Sequence, residues 1–267
     1  MKVMNSPDPL PARLARRAVI SVEGPDTRDF LQRVLTLDFS TLETGDIRPA
    51  ALLTPQGKIV TDCLVHGIEG GVFLDTHAEA ADALAKRLTM YRLRADARIV
   101  RRDDLAIVSG LGAADPRHEA LPPRAVMQAA DAPDATGDGA QDKAEIACGI
   151  PAFGRDYAEA EVFPTDVNLD LYGGVGWKKG CFVGQEVVSR MKRRGTIRKR
   201  SLALTFDTDA PAAGSAVMAG ETPLGAITSS SGHNAIALIR LDRLEAAEGD
   251  VMVDGAVARV GALVTTP

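Results

Sequence analysis

Aromatic side chains are scarce. Seven Phe, three Tyr and one Trp in 267 residues leave the core to Leu, Val, Ile and Ala. Cysteine is scarcer still. Cys63, Cys148 and Cys181 form an odd set with no CxxC pair, which argues against a disulfide framework and a closed zinc site and favours a reducing compartment. No apolar run is long enough to span a membrane, and residues 1–11 hold no apolar signal core. Arg13, Arg16 and Arg17 have the look of a transit segment, but a strand-like run, residues 18–22, follows at once. The cytoplasm is therefore the expected location, with the mitochondrial matrix as the alternative. His66, His77, His118 and His233 show no metal-ligand spacing, so no resident metal is expected. Neither GxGxxG nor GxxxxGK[ST] occurs, which leaves a nucleotide loop without support.

What is present is an ordinary globular composition, 45% apolar and 25% charged, in a chain long enough for two or three domains. The charge is uneven. The net value is −5, yet residues 178–200 hold nine Lys/Arg against one acid, Glu186. That stretch is +8 and the remainder is −13. One concentrated basic segment in an acidic protein is the first pointer to a site.

Residues 18–109 alternate strand and helix patterns in the rough order β-α-β-β-α-β. Asp26 is placed to cap the first helix, and Glu69-Gly70-Gly71 offers a hairpin turn. This order predicts a ferredoxin-like α+β unit. Residues 112–143, rich in Ala, Asp, Pro and Gly, read as a mobile linker, with regular structure resuming near Glu145. Short apolar alternations from residue 201 onward, the last spanning 256–264, predict a small antiparallel β-barrel. The expected domains are 1–110, 111–198 including the linker, and 199–267.

The most informative stretch is residues 171–186. Four glycines precede Cys181, then a helical pattern starts after Gly184 and stops at Gly195. Glu186, Arg190 and Arg194 share one side of that helix. Cys181 sits just ahead of the helix with Lys178 and Lys179 beside it, a setting that favours thiolate. The ordinary alternative is a small buried cysteine. Residues 190–200 suit an anion or RNA, but no aromatics interleave with them to stack bases; the ordinary alternative is a solvated helix face. Trp177 reads as a loop anchor. Tyr91-Arg92-Leu93-Arg94 fits either a cavity wall or a solvated helix end.

Lys179-Gly180-Cys181-Phe182-Val183-Gly184-Gln185-Glu186 resembles the KGC[FY]xGQE signature of the YgfZ-type folate-binding proteins. These are relatives of the glycine-cleavage aminomethyltransferase, and they act in iron–sulfur cluster assembly or repair. Residues 149–151, Phe163-Pro164, residues 168–170 and Gly173-Gly174 resemble the lead-in to that signature. Phe30-Leu31-Gln32, Thr36-Leu37-Asp38 and residues 53–59 with Asp62 resemble the first domain. The likeness covers most of the chain, residues 112–143 and the barrel excepted.

The resemblance implies ferredoxin-like units around a folate-sized cavity, a C-terminal barrel, and a tetrahydrofolate-binding accessory role for [4Fe–4S] enzymes, tRNA-modifying ones included. Cys181 and Lys179 would be the functional centre, with Lys179 holding the thiolate ionised or contacting an anion. Asp62, Gln185, Glu186, Arg190 and Arg194 would serve folate binding and loop order, and Gly180 and Gly184 would shape the motif. One cysteine cannot hold four irons, so a cluster would contact Cys181 only transiently. The implied partners are folate and iron–sulfur enzymes or assembly proteins, with no membrane and no direct nucleic acid. Aminomethyltransferases carry an acidic pair where this chain has Thr61-Asp62, and Asp166 stands where many relatives have Glu. The alternatives to an accessory factor are a folate-dependent one-carbon transferase and an RNA-binding module at residues 190–200.

Overall fold

The computed structural model describes residues 10–195 and 197–263. Residues 1–9 and Val264, on which part of the N-terminal and last-strand readings rest, lie outside them. The first half runs β1 (Ala12–Arg13), β2 (Arg17–Glu23), α1 (Thr27–Val34), β3 (Ile47–Leu53), β4 (Ile59–Ile68), β5 (Gly71–His77), α2 (Ala78–Arg92) and β6 (Arg98–Arg101). The middle holds β7 (Leu105–Ala113), β8 (Arg124–Gln128), α3 (Asp138–Ala147) and α4 (Gln185–Arg193). The last part holds β9 (Lys199–Thr205), β10 (Ala216–Ala219), β11 (Thr222–Ser231), β12 (Asn234–Arg240), α5 (Leu241–Ala246), β13 (Val251–Val253), β14 (Ala256–Val257) and β15 (Arg259–Val260).

The first sheet has the order β3-β4-β5-β2-β6, all antiparallel. Without β3 this is the ferredoxin-like arrangement read from the sequence; β3 is an added edge strand. Strand alternation sends Ile20, Val22, Val72 and Leu74 to one face, where Phe30, Leu31 and Val34 of α1 and Leu84 and Leu88 of α2 cover them. Asp26 precedes α1 but makes no side-chain cap; its carboxylate accepts from Asp96 N at 2.8 Å instead.

The opposite face of the sheet meets a second, three-stranded sheet of order β1-β7-β8. Leu14, Val19, Leu105 and Ile107 close that contact. Here the structure departs from the expected mobile linker. Residues 112–143 carry the end of β7, all of β8 and the start of α3, and they bury Asp115, Arg124 and Gln141. The composition misled because these polar side chains are satisfied largely by partners elsewhere in the chain, Arg124 by Asp75 and Gln141 by Ser109 and Glu145, a relation composition does not reveal.

The C-terminal strands form a seven-stranded antiparallel sheet of order β14-β13-β10-β11-β12-β9-β15, curled into a nearly closed barrel. Its interior is aliphatic, from Leu202 and Leu204 through Val217, Ile227 and Ile239 to Val253, with Phe206 the one aromatic. The fold is α+β, as the sequence predicts. No helix among the described residues is long and apolar enough to cross a membrane.

Between α3 and α4, residues 148–184 form turns with one isolated bridge, Phe153 to Tyr157. They are nonetheless packed. Tyr157, Val162, Val167, Leu169, Val175 and Phe182 join Ala51, Leu53, Ile59 and Val188 of α4 in one apolar cluster. A long irregular stretch held this firmly is a common place for a site.

Candidate functional site

The face of the first sheet away from its helices carries charge. Asp75 on β5 is fully buried and bonded by Arg17 Nε at 2.6 Å and Arg124 Nη1 at 2.7 Å. Burial alone would raise its carboxyl, but the two guanidinium groups outweigh that and hold it well below the usual carboxylate range. The network continues. Asp115 takes two bonds from Arg117, at 2.9 and 2.7 Å. Glu145 of α3 accepts from Arg117 at 2.8 Å, from Arg155 at 3.0 Å and from Gln141 at 3.1 Å. Asp156 beside Arg155 takes hydroxyl bonds from Thr228 and Ser229 of the barrel at 2.7 and 2.5 Å. Both sheets, the irregular stretch and the barrel are thus tied by one ionic system.

This system walls a cavity of about 70 Å³, room for several waters. Asp62, His77, Phe153, Tyr157 and Tyr172 also line it. Asp62 Oδ2 accepts from the Tyr157 hydroxyl at 2.5 Å, and burial, then Asp62, pushes that phenol well above its ordinary value. Thr61, at the position of the missing second acid, is buried against Thr76, 3.3 Å between hydroxyls. Two buried polar atoms of the wall have no hydrogen-bond partner among the described residues: His77 Nδ1 and the Tyr172 hydroxyl. Burial lowers the His77 pKa and raises that of Tyr172 to about 12, so both are neutral. Wall groups left without partners in a cavity are available to a ligand.

The signature stretch lies elsewhere. None of residues 173–195 lines the cavity. Gly184 precedes α4 with φ +78°, and a Cβ there would stand 2.5 Å from Thr54 O. In return, Gly57 at φ +81° packs under Val187 and Val188. The Leu53–Lys58 turn and the start of α4 therefore touch backbone to backbone, joining two segments that the resemblance singled out separately. Gly180 has nothing within 4 Å of a Cβ, so no packing need accounts for it.

Lys179 differs from expectation. It is 8% exposed, and its ammonium donates to Leu35 O at 2.7 Å and Leu37 O at 2.5 Å, at the C-terminal end of α1. That amine tethers the loop to the segment that follows α1, on the carbonyls of its C-cap Leu35 and of Leu37 beyond it, because unpaired carbonyls are strong acceptors in an otherwise apolar spot. Burial lowers its pKa to about 8 against a smaller pull from Asp38. Thr36 completes the dock: its hydroxyl donates to Gly174 O at 2.6 Å and its carbonyl accepts from Gly176 N at 2.8 Å.

Cys181 is exposed, whereas Cys63 is buried and Cys148 half-buried; burial pushes both of those thiols up. Gln185 and Glu186 do not order the loop by capping: α4 has no side-chain cap, and Glu186 points to solvent. Arg190 and Arg194 are exposed and away from the cavity wall, which removes them from a folate there. Trp177 anchors the loop as expected, half-buried with Lys192 Nζ 4.0 Å over its ring. The 91–94 run borders a separate surface groove with Asp26, Asp29 and Arg33, not the cavity. Sequence reasoning missed Arg17, Arg117, Arg124, Arg155, Tyr157 and Tyr172. Only the Asp115-Pro116-Arg117 spacing hinted at a local ion pair. No group of three or more His, Cys, Asp or Glu among the described residues is arranged to hold a metal ion.

Comparison with known proteins agrees with the resemblance read in the sequence. Residues 198–263 match the family model of the CAF17 C-terminal beta-barrel domain. The iron-sulfur cluster assembly factor IBA57, mitochondrial, of Mus musculus is 27% identical, over 87% of this chain and 78% of its own length. The Neurospora crassa homolog of IBA57 is 28% identical over 71% of this chain, which spans only about half of that relative, 52%. The tRNA-modifying protein YgfZ of Klebsiella pneumoniae is 26% identical over 69% and 68% of the two chains. Among solved structures, glycine cleavage system aminomethyltransferase T from Bartonella henselae superposes with a TM-score of 0.77 at 19% identity, covering 95% of this chain and 85% of the other; that likeness concerns the fold.

Proposed function

We propose that this chain is a tetrahydrofolate-binding accessory factor in the assembly or repair of iron–sulfur enzymes, tRNA-modifying ones among its clients, acting through Cys181. The observation that carries the reading is the exposure of Cys181 alone among three free cysteines, at the tip of a loop fastened by Lys179, Thr36 and Gly184. A fastened loop with a presented thiol fits a contact made with another protein. One thiolate supplies one ligand, so the cluster is cargo shared with that partner's ligands. Three free cysteines fit a reducing compartment, cytoplasm or mitochondrial matrix.

The donor set of the cavity fits a reduced pterin. Asp62 offers a carboxylate to ring N–H groups, Tyr172 and His77 offer unpartnered atoms, and Phe153 and Tyr157 offer apolar faces. Asp62, Tyr172, His77, Phe153 and Tyr157 would hold and orient the ring of a bound folate. A single acid beside a buried threonine leaves one-carbon transfer without its second carboxylate.

The test replaces the native copy in a suitable strain by Cys181→Ala or Asp62→Asn. Loss of [4Fe–4S] enzyme activity is expected with Cys181→Ala. Calorimetric titration with 5-formyltetrahydrofolate is expected to weaken about tenfold or more in Asp62→Asn, the worth of one charge-assisted hydrogen bond. Full activity with Cys181→Ala refutes the role of the thiol.

A further inference from the structure

The basic segment that stood out in the sequence is not spent inside the fold. Of its nine cations, Lys179 is buried on carbonyls and Arg200 is buried against Asp170 at 2.6 and 2.9 Å. The other seven, Lys178, Arg190, Lys192, Arg193, Arg194, Arg198 and Lys199, are exposed. None of the seven enters an ion pair among the described residues. Elsewhere exposed or half-buried arginines commonly find an acid close by, as in Arg101–Asp103, Arg102–Asp104, Arg240–Asp242 and Arg259–Asp207. The α4 region is thus a strongly cationic surface, with Glu186 its one acid and no ion pair formed among the described residues, on a protein that is otherwise −13. At 1.5 Å per residue, α4 is about 13 Å long, so its cations stand within roughly one to two Debye lengths of Cys181.

We propose that this face docks an acidic protein, guiding that partner's ligands onto Cys181; the proposal rests on the reading of Cys181 given above. Seven unpaired cations attract such a partner and raise its rate of encounter. The acidic remainder of the surface repels it, so the docked orientation places the thiol at the contact. A protein fits better than RNA for two reasons. The region presents no open aromatic platform, since Trp177 lies under Lys192 and Phe182 is buried. RNA also brings no thiolate to share a cluster with Cys181.

The test uses the whole protein and fluorescence anisotropy of a short labelled Glu-rich peptide, with a Lys-rich peptide and a single-stranded RNA of matched length as comparators. The Glu-rich peptide is expected to bind, and to bind about tenfold more weakly at about 200 mM than at about 50 mM NaCl. The variant Arg190→Glu/Arg193→Glu/Arg194→Glu is expected to lose at least about tenfold in affinity. Arg33→Glu/Arg94→Glu, in the separate groove between the last turn of α1 and the end of α2, should bind as the parent does. The corresponding Gln triple provides the same comparison should the Glu triple melt early. Equal binding by the charge-reversed variant overturns the proposal, and so does RNA bound more tightly than the peptide at equal salt. Cys181→Ala should bind the peptide unchanged, so this face and the function of the thiol fail or stand separately.

Discussion

Lys179 was expected beside a thiolate and is found bonded to the carbonyls of Leu35 and Leu37, just past α1. The consequence can be measured. Its amine titrates near pH 8 in the folded chain and near its ordinary value, about 10.4, when unfolded. Between those values the unfolded state binds the extra proton, so stability contributed by this residue rises with pH. The unfolding free energy of the parent minus that of Lys179→Met, from urea titrations, should therefore increase from pH 8 to pH 10; a flat difference refutes the assignment. The residue type and its neighbours in sequence were legible, but the partner was not. Leu35 and Leu37 lie more than a hundred positions away, and a helix end becomes an acceptor site only once the loop is folded over it.

At the scale of elements, α4 was read correctly from its helical pattern and its flanking glycines, and residues 53–59 were singled out by resemblance. Their contact was not legible, because close backbone approach leaves only glycine as its mark. Gly184→Ala meets both the left-handed φ and the oxygen of Thr54. A cost of about 2 kcal/mol corresponds to a Tm lower by about 4–8 °C. Gly180→Ala, with open space around it, should leave Tm unchanged or slightly higher. Calorimetry of the two variants separates a glycine that packing demands from one that packing does not. The same scale explains the misread linker: β8 and α3 are short, polar on much of their surface, and stabilised by partners outside themselves.

For the whole molecule, the network from Asp75 to Asp156 joins the two sheets and the barrel around the cavity. Removing one partner leaves buried guanidinium groups uncompensated, so Asp75→Asn should destabilise the protein by about 3–5 kcal/mol, read from urea midpoints. The acid limb of stability follows from the same groups. Asp75 is held below its ordinary value and Asp115 is lowered to about 2. Their contribution is complete above the unfolded carboxylate value near 4 and is lost as pH falls toward 2. Unfolding followed from pH 5 to pH 2 should show a slope that Asp75→Asn reduces; an identical slope in both proteins would exclude Asp75 from it.

The uneven charge, the order of the first strands and helices, the barrel pattern and the loop bearing Cys181 were all determined by the sequence alone, since each is written in neighbouring residues as periodicity, turn chemistry or composition. Tertiary structure alone decided that Asp62 and Cys181 belong to different places, that Lys179 serves a helix end, and that five arginines from four segments surround one cavity. The reason is physical. Ion pairs and hydrogen bonds between distant segments depend on which faces meet, and burial sets both their strength and the protonation of their members.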